Sequence, residues 1–537
     1  MAEVKFAFPR KATGLVRELG WWSAFSVSLS YTIGSGINYW VVKASYLHPG
    51  SIIPVAYIIG ALPAIFLAYV ITEMGIMMPR SGGSYIYVSR VLDPHVGFLG
   101  DWLYFVANNF ATGVLAVTGA GFWVKVINLL GHATDNPAWI EFALDNTGLA
   151  MIAVVIVTLY TLLSLLGIRV FRWYVAGLVA IGIVGSFLGV AATFYGIANP
   201  AYVKEAWNLT YGHGADAWGE IQQVAMTYPK PDDNWATYVT SATEGAGGTG
   251  GATILNFVDT FWAYWGTTAA CYFGGEMKSP KSGFILGVFA ATLFVMFWYV
   301  ATAIGVYTAY GDFVSQYCYV YGEGYADKVT TMTMMDPSLP LFTVPLAHGQ
   351  VWLQAIFAFI PAMWISNCAG STLLVGPRQP FAWAFDRFFP EAFNRVNERF
   401  HSPHWSVILC AVLAYLFIPL SLGNVFMATV DATFIFIFSQ LLIAFAGVIL
   451  PYRRPDIWER GFKAVIAGIP VISICGALSI MFWVWGLAIS ASWLDPWVML
   501  YLSIWVLIGS LIWFAFAERN RRVGIALQDI YGEIPPA

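Results

Sequence analysis

About a dozen apolar runs of roughly 18–30 residues recur along the whole chain, each long enough as a helix to cross a hydrocarbon layer about 30 Å thick. No water is available inside that layer to satisfy loose N–H and C=O groups. Such runs therefore fold as helices, and the chain is expected to be an all-α polytopic membrane protein. Only 10% of its residues are charged, against about 25% in an ordinary soluble domain, too few to clothe a soluble surface. Between polar breaks the runs fall near 20–43, 50–78, 96–129, 148–166, 171–197, 252–275, 283–310, 349–376, 404–420, 425–451, 464–490 and 495–517, about 12 transmembrane helices.

An even number of spans puts both termini on one side, and the basic residues choose which. Of 26 Lys and Arg, 21 fall in the N-terminal segment, the tail and alternate breaks, including Arg80, Arg90, Arg172, Lys278, Arg378 and Arg454. The other side holds only Lys43, Lys125, Lys204, Lys230 and Lys328. Both termini, 1–19 and 518–537, are thus expected in the cytoplasm, with the protein in the plasma membrane among lipid. The two longest breaks, 198–251 and 311–348, then face outward. They hold six acidic residues against two lysines and four against one, a balance that either attracts cationic solutes or is simply a solvated surface.

Several function classes drop out. A formal charge of −4 provides no basic footprint for nucleic acid. Seven histidines in or beside the breaks and five scattered cysteines without a CxxC pair suggest no haem, copper, zinc or other metal, no disulfide framework and no cofactor. Without an H-E-x-x-H or a His/Cys cluster at depth, an enzyme is not expected. An ion channel stays as an alternative of another class, although no T-V-G-Y-G filter is present.

Two spans carry polar, glycine-rich interruptions halfway across. In the first, Ser28 to Asn38 contains Gly34, Ser35 and Gly36; in the sixth, Trp262 to Thr268 contains Gly266, Thr267 and Thr268. Glycines in spans often serve only close packing. Here adjacent polar side chains accompany both breaks, and the breaks occupy matching positions of two five-helix halves, the pattern that marks a substrate site in transporters built from inverted repeats.

The residues at these landmarks resemble those of the amino acid–polyamine–organocation (APC) transporters. Ile33-Gly34-Ser35-Gly36-Ile37 resembles the family's I-G-S-G-I motif, and Pro79 to Tyr87 resembles its P-x-S-G-G-x-Y-x-Y. Gly275-Glu276-Met277-Lys278-Ser279-Pro280-Lys281 resembles G-E-x-K-x-P-x-R, and Arg378 through Asp386 and Pro390 to Arg399 and Pro403 resembles the stretch after the eighth helix. The resemblance implies a LeuT-like 5+5 inverted repeat at 20–451 (about 20–197 and 252–451), with two additional helices at 464–517. It implies substrate binding by Ile33, Gly34, Ser35 and Gly36, with the amides of Gly34, Ser35 and Gly36 holding a carboxylate, and by Trp262, Ala263, Trp265 and Gly266, with the carbonyls of Trp262, Ala263 and Trp265 holding an ammonium. Trp262, Tyr264 or Trp265 would close over the substrate.

Departures from the pattern bear on coupling. Where many relatives have a carboxylate in the sixth helix this chain has Thr267 and Thr268, and the fifth helix lacks a lysine at depth. Ser366, Asn367, Ser371 and Thr372 offer oxygens for sodium, but hydroxyls on spanning helices more often bond their own backbone, so a coupling proton is expected ahead of sodium. Ionisable groups within spans are functional candidates by default: Glu73, Asp101, Asp259 and Asp431. Glu73 and Asp101 are expected to pair with Arg80, Arg90 or the loop after the eighth helix as an inner gate. Asp259, one turn outside Trp262, is expected to meet a cationic group or carry a proton, and Asn108 and Asn109 to line the same cavity. The expected activity is secondary active transport of an amino acid by alternating access, proton-coupled or exchanging, with a polyamine or amine antiporter as the alternative.

Overall fold

The computed structural model describes residues 14–532 apart from 231, 424 and 492–495, together with residue 534. Among the described residues, ten helices are long and apolar enough to cross a membrane, from Ile53–Met77 to Met499–Arg522. Their starts are chemically marked. The 40-residue helix Pro94–Ala133 opens with proline behind Asp93, whose carboxylate accepts from the amides of His95 and Val96, and Asn146–Leu165 is capped by Asp145. Large apolar side chains such as Val155, Trp173, Phe297 and Leu416 point out of the bundle, as a lipid-facing surface requires.

Two further apolar stretches do not form continuous helices. The first comprises Trp21–Thr32, a wide turn at Gly36–Trp40, and Val41–Leu47. The second comprises Thr249–Leu255, Phe257–Trp262 and a tight 3₁₀ turn at Trp265–Tyr272. They pack against each other, and Pro94–Ala133 lies behind them, packed along Val351–Val375, His404–Gly423 and Val425–Arg453.

Ion pairs gather at the two ends of the bundle. One end holds Glu18–Arg172, Arg90–Asp386 and Glu276–Arg378; the other holds Asp336 with Lys43 and Lys125, and His48 with Asp259. At the arginine end, Leu19 donates to the Glu276 carbonyl and accepts from Lys278, so the start of the first interrupted stretch is stitched to the end of the second.

Two expectations about element boundaries shift. The eleventh run begins at Val471, because Val465–Ile466 and Ile469–Pro470 pair as a small hairpin around Ala467 and Gly468, both with positive φ. The long lysine-side breaks are not plain loops: they contain the helices Pro200–Tyr211, Ala217–Thr227, Trp235–Gly245 and Phe313–Gly322. Asp216 and Asn234 cap two of them, a local signal that length-based reading of spans passes over.

Candidate functional site

The helix Trp21–Thr32 ends where Gly34, Ser35 and Gly36 remove the side-chain packing and helix propensity that would carry it on. Among the described backbone hydrogen bonds, the amides of Gly34 and Ser35 reach no carbonyl. In the second stretch the carbonyls of Trp262 and Ala263 accept no backbone amide. Unpaired backbone groups in a buried interior are costly, and they collect where a ligand completes them.

Glycine is needed for the two breaks to meet. A Cβ on Gly36 would lie 2.5 Å from the Ala263 Cα, and one on Gly266 would lie 2.5 Å from the carbonyl carbon of Tyr31. The halves nearer the lysine end therefore touch at Gly36 and Ala263, and the halves nearer the arginine end at Tyr31 and Gly266.

Between them lies a buried cavity. Six of the eight expected binding residues line it: Gly34, Ser35, Gly36, Trp262, Trp265 and Gly266. Ala263 abuts it through its contact with Gly36. Ile33 faces away, into a cleft shared with Ile37 and Asn38. The remaining wall comes from Tyr31 and Thr32, from Ala111 and Leu115 of the long helix, and from Cys368 and Thr372. Among the described residues, no lining side chain is a carboxylate or a base. About 20 Å³ is open to the centres of water molecules, room for about one water and far too little for an amino acid. The Trp262 indole closes the cavity by donating to Ser35 Oγ at 3.1 Å, and the two tryptophans meet edge to face at 4.8 Å.

The gate and coupling candidates lie around the cavity instead of on its wall. Tyr264 is buried with its hydroxyl donating to the Tyr57 carbonyl at 3.0 Å, which ties the break to Ile53–Met77 and points the ring away from the cavity wall. Asn108 stands one layer back: it accepts from the Tyr31 hydroxyl at 2.5 Å and donates to the Thr372 carbonyl at 3.1 Å, supporting two wall residues. Asn109 donates to the Phe105 carbonyl in its own helix. Asp259 reaches outward, 2.9 Å from His48 Nε2. The Asp431 side chain lies outside the described residues.

The expected inner gate has other partners. Asp101 meets no arginine: its carboxylate accepts from Ser84 at 2.7 Å, Tyr272 at 3.2 Å and Trp383 at 2.8 Å, neutral donors from three elements. Glu73 meets none either, because its carboxylate turns toward Gly461 and the amide of Phe462. The arginines are taken elsewhere. Arg90 pairs with Asp386 at 2.6 Å, and Arg378 holds Glu276 through Nε and Nη2 at 3.1 and 3.0 Å, all four side chains buried. Glu276, Arg378 and Asp386 stand in the motifs quoted above, so their presence was visible, but their pairing joins residues about 100 and 300 apart.

The oxygens considered for sodium are each committed. Ser366 accepts from Trp123, Asn367 from Tyr160, Ser371 shares a proton with Ser30, and Thr372 bonds Ala369 and Thr112.

Comparison with known proteins fits this arrangement. The family model described as amino acid permease matches residues 19–512. The branched-chain amino acid permease BcaP of Bacillus subtilis (strain 168) is 23% identical over 95% of this chain and 95% of its own length. BcaP of Lactococcus lactis subsp. cremoris (strain MG1363) is also 23% identical, over 90% of each chain. The serine/threonine exchanger SteT of Bacillus subtilis (strain 168) is 22% identical over 87% of this chain and 91% of its own. With nearly its whole length matched by that family model, the chain belongs to the amino acid permease family, as a multi-pass transporter of the plasma membrane.

Proposed function

We propose that the protein is a secondary active permease for a neutral amino acid, working by alternating access around the cavity between the two broken helices. The observation that carries this reading is the pairing, among the described residues, of two unused amides, Gly34 and Ser35, with two unused carbonyls, Trp262 and Ala263, around a chamber lined by uncharged side chains. The amides suit a carboxylate and the carbonyls an ammonium, at about 1.5–3 kcal/mol for each hydrogen bond to a charged group. Ala111, Leu115 and Cys368 provide an apolar wall for an aliphatic side chain. The substrate classes in the names of BcaP and SteT, branched-chain and hydroxyl amino acids, are both small and neutral.

In this reading the ten continuous helices and the two interrupted ones make 12 spans: a LeuT-like 5+5 repeat and two more helices, with both termini cytoplasmic. The arginine end is the inner face, sealed by the Glu276–Arg378 and Arg90–Asp386 pairs, and the lysine end is the outer face. Both routes are shut, and transport requires the cavity to expand on one side at a time.

The amine antiporter reading needs free acids on the outer route. Asp259 is engaged with His48 and Asp336 with two lysines, which favours a zwitterion over a polyamine. A cavity wall without a carboxylate among the described residues also favours exchange over direct proton coupling at the site. Uptake of a labelled mixture of amino acids and polyamines into proteoliposomes tests both points, with an inward proton gradient in one arm and internal amino acid in another. Accumulation of leucine, isoleucine, valine, serine or threonine supports the permease reading; accumulation of putrescine or spermidine alone refutes it. Dependence on preloading marks an exchanger, and dependence on the gradient marks proton coupling.

A further inference from the structure

On the lysine side of the cavity, two ammonium groups from different elements converge on a single carboxylate. Lys43 of Val41–Leu47 lies 2.6 Å from Asp336 Oδ1, and Lys125 of Pro94–Ala133 lies 2.8 Å from Asp336 Oδ2. Each lysine thus takes one oxygen, the spacing a carboxylate offers, and the trio keeps one excess positive charge. The three side chains are only 13–27% exposed. Tyr39 lies beneath both lysines, 3.9 Å and 5.2 Å from its ring centre, and its hydroxyl accepts from Lys43. Burial alone would raise the Asp336 carboxyl, but the two ammonium groups outweigh it and hold it below its usual range.

Asp336 is the detachable partner. The lysines stand on helices, whereas Asp336 follows an irregular segment pinned at two places. Glu220 accepts from the amides and hydroxyls of Thr330 and Thr331. Tyr317 clasps Met335, accepting from its amide at 2.9 Å and donating to its carbonyl at 2.8 Å. Lys125 lies ten residues along its helix from the cavity residue Leu115, about 15 Å at 1.5 Å per residue. Lys43 lies seven residues beyond Gly36. The pair therefore stands on the outer approach to the cavity.

We propose that Lys43 and Lys125 form a separate outer site for the carboxylate of the incoming amino acid, with Asp336 as a built-in occupant that the substrate displaces. In the closed protein Asp336 holds the loop down across the outer route. An arriving carboxylate takes over the two ammonium groups, the Asp336 side chain turns away from them, and the substrate is held where the route opens inward. The proposal rests on the permease reading and extends it by one step along the path.

The test uses labelled leucine and measures half-saturation separately from the outer and inner faces. Lys43→Met together with Lys125→Met is expected to raise the outer value about a hundredfold, the loss of two charge-assisted contacts at about tenfold each, with the inner value changed less than about twofold. Asp336→Asn is expected to lower the outer value. An unchanged outer value in the double variant, or equal rises at both faces, overturns the proposal. A second measurement does not depend on transport: in Asp336→Asn protein, acylation of Lys43 and Lys125 by an impermeant active ester is followed by mass spectrometry. Millimolar acetate is expected to slow the reaction, and tetramethylammonium chloride at equal ionic strength is not. Absence of protection by acetate overturns the outer site even when leucine is transported. Protection in a protein that carries no amino acid would uphold the carboxylate site and refute the permease reading.

Discussion

Replacing Gly36 with alanine adds one methyl group where two backbones touch. Its Cβ would sit 2.5 Å from the Ala263 Cα, whereas ordinary contact begins near 3.4 Å, so the broken helices must separate by about 0.9 Å. Backbone has no rotamer to yield, and overpacking of this kind costs about 1–3 kcal/mol. The same shift disturbs the spacing between the Gly34 and Ser35 amides and the Trp262 and Ala263 carbonyls on which the proposed recognition depends. Loss of about 1.4 kcal/mol of that recognition is a tenfold fall in binding. Gly36→Ala is therefore expected to reduce leucine uptake in proteoliposomes about tenfold or more while the purified protein still elutes as a folded species. Gly121→Ala is the control: a Cβ there meets nothing within 4 Å, and uptake should match the parent. Parental uptake by Gly36→Ala would refute the reasoning, because it would mean that the close approach of the two breaks does not shape the site.

Other perturbations test the surrounding structure. Arg378→Met leaves the buried Glu276 charge unpaired and is expected to cost about 3–5 kcal/mol, seen as a lowered melting temperature in detergent; adding Glu276→Leu should recover most of it. Ser35→Ala removes the acceptor of the Trp262 indole and should weaken leucine binding by about 1–3 kcal/mol, measured by equilibrium dialysis; Trp262→Phe in addition should cost less than the sum of the two singles. Burial would raise the carboxyl of Glu220, but its hydrogen bonds from Thr331 and Thr330 outweigh that and hold it at about 2. Its contribution to the outer segment is therefore full above its ordinary value of 4.5 and lost as pH falls toward 2, so protease protection around Thr330 should fall in that acid window and not between pH 5 and 8.

The interrupted helices were legible because they break two local rules at once: glycine in a spanning run, and polar side chains at the depth where lipid tolerates none. Ser35, Trp262 and Gly266 follow from that signal. Ala111, Leu115 and Cys368 do not. Lipid and protein interior are equally apolar, so the pattern along a spanning helix does not say which face turns inward. Tyr264, expected as a lid, is an anchor because its ring turns toward Tyr57 and Tyr299, a direction set by packing between elements far apart in sequence. The same holds for the ion pairs. Arg90, Arg378, Lys43 and Lys125 announced which end each helix occupies, yet their partners lie about 100 to 300 residues away, on segments whose folding nothing local reveals.

Central to the proposed function is recognition of the charged ends of a neutral amino acid by backbone groups at the two breaks. Equilibrium binding of labelled leucine to the purified protein, in competition with leucine methyl ester, N-acetyl-leucine and isopentylamine, tests it most directly. Each competitor keeps the aliphatic side chain and loses the carboxylate charge, the ammonium charge or the whole carboxylate. Competition by each of the three at least about a hundredfold weaker than that of unlabelled leucine is the predicted result, since each loses two charge-assisted contacts at about tenfold or more apiece. Competition by isopentylamine as strong as that of unlabelled leucine would contradict it.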